Sequence, residues 1–365
     1  MISGHGGNIH ETAARLGCNI SNIVDMSSNV NPLGPPPGLT DWLKEQISVI
    51  ESLPQADAKN ISRVFAERYA IDPEKTLAGN GTTQFIYAIP KVLESRKALI
   101  LGPAYSDYAD ACAMHHVPFD FVMAEDGDGF YHDMNYVEKQ IQHFDTVFVC
   151  NPNNPTGVLI SGEVLKNLCR KYPQTFFIID ESYLPFVAGG ESESLIKEDI
   201  KNLLILNSMS KIFRIPGLRI GFVVADQPII RKFFHYYLPW SVNSLAQAAV
   251  THLMSCQEQT DRFIRQSQQY LVQQRALFMS LMEKSKKIRF FDSTTSFLLA
   301  KLTHPIDSGT ICDLMAQQYI LIRNCNNFKG LSSQFIRISL KTSDINKMAA
   351  EKLLKILHAE GGIKS

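Results

Sequence analysis

Five short, uninterrupted apolar runs constrain this chain more than any other feature: Ala98 to Leu101, Thr146 to Cys150, Phe176 to Ile179, Leu203 to Leu206 and Ile220 to Val224. Each is too short for a helix. None alternates apolar with polar, so each reads as a strand covered on both faces. Helical patterns such as Gly162 to Lys171 lie between them. Strands alternating with helices predict an α/β fold with a mostly parallel central sheet. Beyond about Trp240 the character changes. An amphipathic stretch from Ser244 to Lys284 predicts a long helix. Strand-like pieces follow at Thr295 to Leu299, Ile320 to Arg323 and Phe335 to Leu340, and a helix from about Ser343 to His358 ends the pattern. The expected division is an N-terminal arm (1–38) that ends in the Pro-rich connector Asn31 to Gly38, a large domain (39–240) and a smaller α+β domain (241–365).

Composition bears mainly on what the chain does not do. Its 365 residues carry 36 basic and 36 acidic side chains, a net charge of zero, so nothing draws the whole surface to nucleic acid or a membrane. An anion site must then be local. Seven cysteines, an odd number with no Cys-x-x-Cys pair, argue against a disulfide framework or a zinc site and suit a reducing compartment. No signal-peptide pattern opens the chain, and no apolar run approaches the roughly 18–20 residues that span a bilayer. A cytoplasmic protein is expected.

Polar clusters sit at the ends of the predicted strands. Asn151 to Gly157 follows one, Asp180 ends the next, and Ser208 to Lys211 follows a third. Ligands of open α/β sheets bind beyond the carboxyl ends of strands, so three such ends aimed at one crevice form a site signal. A lysine at a strand exit loses solvent, which lowers its pKa and frees its amine as a nucleophile. Flanking hydroxyls and Arg219 suit a phosphate. An isolated Ser-x-Ser-Lys is usually an ordinary loop. Here it continues into Pro216-Gly217-Leu218-Arg219-Ile220-Gly221.

Asn153-Asn154-Pro155-Thr156-Gly157, Asp180-Glu181-Ser182-Tyr183 and Ser208-Met209-Ser210-Lys211 with Pro216 to Gly221, in this order and spacing, resemble the fold-type I aminotransferases that use pyridoxal 5′-phosphate. The resemblance implies that Lys211 holds this cofactor as a Schiff base. It implies that Asp180 pairs with the pyridine nitrogen and keeps the ring an electron sink. Asn154 and Tyr183 then bond the ring oxygen, and Ser208, Ser210 and Arg219 hold the phosphate. Gly79-Asn80-Gly81-Thr82-Thr83 resembles the family's phosphate cup, with Gly81, Thr82 and Thr83 at a helix start. Tyr105 matches the aromatic that stacks on the ring, and Arg337 the arginine that grips a substrate carboxylate.

Three further segments narrow the resemblance. His5-Gly6-Gly7-Asn8 near the start, Pro239 to Leu245, and Ile320 to Cys325 with Gly330 and Leu331 are similar to the threonine-phosphate decarboxylases of cobalamin biosynthesis, a subgroup of the histidinol-phosphate aminotransferase branch. This implies decarboxylation of L-threonine O-3-phosphate to (R)-1-amino-2-propanol O-2-phosphate, in a homodimer. His5, Gly6 and Arg323 become candidates for the substrate phosphate, and Asn31 and Asn243 for the site lining. Serine phosphate decarboxylation and histidinol-phosphate transamination are the alternatives. One methylene is worth only about 1–3 kcal/mol of discrimination. Lys211 serves either reaction type. Two departures stand out: Leu53-Pro54 where relatives have Tyr-Pro, and Lys341 where close relatives have arginine.

Overall fold

A computed structural model describes residues 6–303 and 306–359. All five apolar runs are strands of one seven-stranded sheet. Its order is Thr76–Asn80, Ile220–Ala225, Leu203–Asn207, Phe176–Asp180, Thr146–Cys150, Ala98–Gly102, Phe119–Met123. The pairs from Leu203–Asn207 to Phe119–Met123 are parallel. Ile220–Ala225 runs antiparallel to both neighbours, which makes the sheet mixed but mostly parallel. The parallel strands therefore end on one edge, where Asp180 and the segments after Cys150 and Asn207 meet. Two strands lie outside the five runs. Thr76–Asn80 has little apolar material, and a Cβ on its Gly79 would lie 2.6 Å from the Phe85 ring. Both are edge strands, and Phe119–Met123 is interrupted by Asp120.

A second, four-stranded antiparallel sheet has the order Arg323–Asn324, Phe335–Ser339, Phe297–Leu302, Ile288–Phe290. The expected single strand Ile320 to Arg323 is instead two. Ile320–Leu321 pairs in parallel with Val24–Asp25 of the N-terminal segment. After Ile322 the chain changes partner, and Arg323–Asn324 joins the small sheet. The expected long helix is likewise two, Ser244–Ser255 and Gln257–Met282. Cys256 leaves helical geometry between them (φ −93°, ψ 50°). The Thr260 hydroxyl donates to the Leu253 carbonyl at 2.8 Å, so a carbonyl at the break keeps a partner. One apolar core runs through both sheets, from Leu77 and Ile178 to Phe297 and Ile336. Among the described residues no helix is long and apolar enough to cross a membrane.

Candidate active site

Asp180 is the last residue of Phe176–Asp180, and its carboxylate is buried. One oxygen accepts the Ser182 N–H at 3.0 Å and the other the Tyr108 hydroxyl at 2.8 Å. Burial pushes its carboxyl above the usual range, although the bonds from Ser182 and Tyr108 and the charge of Lys211 act the other way. Lys211 sits on the four-residue helix Met209–Ile212 rather than in a loop. Burial of its amine, with Arg219 and Arg337 nearby, pulls its pKa down to about 8, while Asp180 and Asp107 oppose the shift.

Every residue expected around the cofactor, from Gly81 to Arg219, lines one crevice, which Tyr108, Cys150 and Ser182 complete. One end of it is a glycine cradle. Gly81 has φ 72° and opens the helix Gly81–Val92, whose first turn has no side-chain cap. A Cβ on Gly81 would lie 2.8 Å from Nη2 of Arg219, and one on Gly221 would lie 2.6 Å from the Thr82 nitrogen. Only glycine lets these groups close in on one another. Helix N–H groups and a guanidinium together make a phosphate-sized anion site. Above it stand Tyr105, Asn154 and Tyr183. Burial pushes the Tyr183 phenol up to about 12, which keeps it a hydrogen-bond donor at neutral pH.

A second crevice adjoins the first and shares Tyr105, Asn154, Tyr183 and Lys211 with it. It is lined by Gly6 and residues 27–30 together with Arg323, Asn327, Phe328 and Arg337. Arg323 and Arg337 are cross-strand partners. Arg337 is buried. It donates to the Asn154 side chain and, at 2.9 Å, to the Ser27 carbonyl, while its Nε has no hydrogen-bond partner among the described residues. Arg323 donates to the Asn324 carbonyl at 2.6 Å and to Asn327 Oδ1 at 2.7 Å, and it lies over the Phe328 ring. Burial lowers its pKa, and the neighbouring Arg337 adds to the effect.

Two expected lining residues lie elsewhere. Asn31 is fully buried behind Lys211, where its amide donates to the Ile212 carbonyl at 2.8 Å and to Ser267 Oγ at 2.7 Å. Its amide oxygen accepts the Leu33 N–H at 3.0 Å, so its polar atoms are consumed by the lysine helix, Ser267 and its own segment. Asn243 caps the helix Ser244–Ser255 and bonds the Leu218 carbonyl. His5 lies outside the described residues. Gly6 does line the second crevice. Tyr108, Ser27, Asn29 and Asn327 are site residues that sequence reasoning passed over. Tyr108 follows Tyr105 by three residues, across the start of the helix Asp107–Met114, a spacing that could have been read, but a lone polar residue in the 27–29 loop carries no signal. Leu53 is strongly exposed and Lys341 buried.

Comparison with known proteins fits this geometry. Residues 21–353 match the model of the aminotransferase class I and II family. The chain belongs to this family. Among curated family members, it is 32% identical to the adenosylcobalamin biosynthesis bifunctional protein CobDQ of Leptospira interrogans, over 97% of this chain and 41% of that protein. The chain thus spans under half the length of that relative. It is 28% identical to the threonine-phosphate decarboxylase of Salmonella typhimurium, over 97% of each chain. Among solved family structures, L-threonine-O-3-phosphate decarboxylase from Porphyromonas gingivalis superposes with a TM-score of 0.80 at 28% identity, over 91% of this chain and 99% of that one. The histidinol-phosphate aminotransferase of Clostridium acetobutylicum gives 0.83 at 26%, over 92% and 99%. The family uses pyridoxal 5′-phosphate.

Proposed function

We propose that this chain is a pyridoxal-phosphate-dependent decarboxylase of L-threonine O-3-phosphate, acting in cobalamin biosynthesis. The observation that carries the reading is the pair Arg323 and Arg337. Two guanidinium groups on one wall of a crevice demand more anionic charge than a single carboxylate brings. A phosphorylated amino acid brings both a carboxylate and a phosphate.

The first crevice fits the cofactor chemically. Asp180 is a buried carboxylate that lacks a full counter-charge, which a protonated pyridine nitrogen provides. The Gly81 cradle with Arg219 suits the phosphate. Pyridoxal phosphate, when bound, supplies the electron sink that accepts the electrons of a broken Cα bond. The side chains do the rest. Asp180 keeps the sink charged. Arg337 anchors the substrate carboxylate, and Arg323 with Asn327 takes the phosphate. Lys211, with its depressed pKa, is the amine that holds the cofactor and the acid that returns a proton to Cα.

Incubation with L-threonine O-3-phosphate tests this. CO₂ release without any 2-oxoacid is expected. A strict 2-oxoacid requirement, as for an aminotransferase of histidinol phosphate, overturns it. Serine phosphate in the same assay measures the preference for the substrate methyl group.

The reading extends to assembly and location. Ile47, Ile50, Leu53, Leu238 and Trp240 are exposed, and Trp240 N donates to the Ala56 carbonyl at 2.9 Å, which brings the two segments that carry this apolar surface together. A second copy of the chain on this patch gives a homodimer. Sedimentation of an active monomer would count against it. All seven cysteines are free, which supports a cytoplasmic location. The same reading divides the chain into an arm (1–38), a large domain (39–240) and a small domain (241–365).

A further inference from the structure

Residues 24–31 cross the molecule between the two sheets. On one side, Val24 N and Met26 N donate to the Tyr319 and Leu321 carbonyls, and Ser339 N donates to the Met26 carbonyl. On the other, Asn31 N donates to the Lys211 carbonyl at 3.1 Å, and Asn29 donates to the Tyr183 hydroxyl at 3.3 Å. Between these anchors the strap turns inward and offers Ser27 and Ser28 to the second crevice. The turn is built around Asp25. One of its carboxylate oxygens accepts Ser27 N at 2.8 Å, Ser27 Oγ at 2.7 Å and Ser28 N at 3.1 Å. Ser27 then acts twice. Its carbonyl accepts from Arg337 at 2.9 Å, and its hydroxyl accepts the Gly7 N–H at 2.8 Å. The approach is tight, since a Cβ on Gly6 would lie 2.8 Å from the Ser27 oxygen.

Lys341 faces this turn from the strand Phe335–Ser339 side. It is buried, and its ammonium donates to the Ser28 carbonyl at 3.3 Å. Burial draws its pKa down to about 8, with Asp25 opposing and Arg214 adding. Burial also acts to raise Asp25, but the bonds from Ser28 and Ser27 and the charge of Lys341 hold its carboxyl below the usual range. A buried ammonium persists only where it is paired and hydrogen-bonded. Here a carbonyl of the turn accepts its hydrogen bond, and the charge of the Asp25 carboxylate that makes the turn favours the ammonium.

We propose that Asp25 and Lys341 are positioning residues for substrate binding: they lock the 27–28 turn so that the Ser27 carbonyl aims Arg337 and the Ser27 hydroxyl seats the Gly6–Gly7 backbone at the substrate crevice. Neither lines the crevice. Their effect reaches substrate through Ser27, and the inference rests on the proposed reading of that crevice as the phospho-amino-acid site.

The holoenzymes of Lys341→Met, Asp25→Asn, the double variant and Lys341→Arg test this with L-threonine O-3-phosphate. In both single variants KM is expected to rise about tenfold or more while kcat falls threefold or less, because the reacting groups at Lys211 are untouched. Lys341→Arg restores KM, since arginine keeps the charge and the donor. The double variant is expected to be no worse than the poorer single one, because each change disables the same turn. Unchanged KM, a fall confined to kcat, or effects that multiply in the double variant overturn the proposal. Should Lys341→Met fold poorly, the less drastic Asp25→Asn carries the same comparison. Hydrogen exchange supplies a reading that needs no turnover: the Gly7, Ser27 and Ser28 amides should exchange faster in Lys341→Met, and unaltered protection sinks the strap. If the wild-type chain leaves threonine phosphate untouched, the proposed function fails alone, and the exchange result still decides this inference.

Discussion

Arg323 and Arg337 stand directly opposite each other on neighbouring antiparallel strands, so two guanidinium groups project from one face of the small sheet into the crevice above Lys211. Opposed like charges on a sheet are destabilising by themselves. Their pairing makes sense where a ligand brings two anionic groups. Arg337 already leans on Asn154 and Ser27, and Arg323 on Asn327. Each is therefore held by partners of its own, as the proposed separate roles require.

Arg323→Leu should reveal that division of labour. A hydrogen bond to a charged group is worth about 1.5–3 kcal/mol, so kcat/KM for threonine phosphate is expected to fall about 10- to 100-fold. Turnover of unphosphorylated threonine, however slow, should change little. Arg337→Leu should depress both. Steady-state kinetics on the two substrates checks this, and equal losses on both in Arg323→Leu contradict it.

Lys211 sets a pH dependence in the chain without cofactor. Its pKa in the fold is about 8, against the ordinary 10.5. Only the neutral amine attacks an aldehyde, so the rate of pyridoxal phosphate capture should rise about tenfold per pH unit below 8 and level off above it. Absorbance and borohydride trapping at Lys211 follow this. Linkage gives the matching stability effect. Between about 8 and 10.5 the unfolded chain binds more protons than the folded one, so stability rises with pH across that window. Lys341 contributes in the same direction. Comparison with Lys211→Met isolates the share of Lys211, which should vanish in that variant.

The parallel core of the large sheet was legible because buried strands carry a dense local signal: Thr146 to Cys150 is a strand from end to end, as is Gly162 to Lys171 a helix. The motif residues around Asp180 and Lys211 were legible because the chemistry needs those types at strand ends. Arg323 and Arg337 were legible one by one, but not as a pair. Their register is set by a change of partner at Ile322, which no periodicity records. Asn31 misled for a related reason. A buried asparagine that satisfies backbone and one that binds substrate look alike until the partners of its amide are seen. Asp25 and Lys341 lie over three hundred residues apart, and only the fold makes them neighbours.

Gly81 should tolerate no side chain. Its φ of 72° disfavours an L-residue, and an added Cβ would crowd Arg219 at 2.8 Å. Gly81→Ala is expected to weaken cofactor affinity about tenfold or more, since it displaces the guanidinium that completes the anion cradle. Equilibrium titration with pyridoxal phosphate measures it. Thermal stability without cofactor should drop only modestly, by the order of 1 kcal/mol.

Tyr108 is the least obvious part of the site and gives the most discriminating test. Its ring stacks on Phe148 at 5.3 Å and meets Tyr105 edge-on at 5.9 Å, so Tyr108→Phe keeps the packing and removes one hydroxyl. That hydroxyl is the donor to Asp180 Oδ2. Without it a buried carboxylate oxygen loses its partner, at a cost of about 1–3 kcal/mol. Burial already raises the Asp180 carboxyl, and the loss of a donor to its ionised form raises it further. A less ionised Asp180 holds a proton on the cofactor ring less firmly. The expected result is a fall in kcat about tenfold, with KM for threonine phosphate nearly constant because the arginine wall is intact. In an Asp180→Asn background the same change should do little, since the carboxylate it serves is gone. Chemical denaturation and kinetics on the four proteins of this cycle decide it. Independent, additive losses would mean that the Tyr108 hydroxyl acts other than through Asp180.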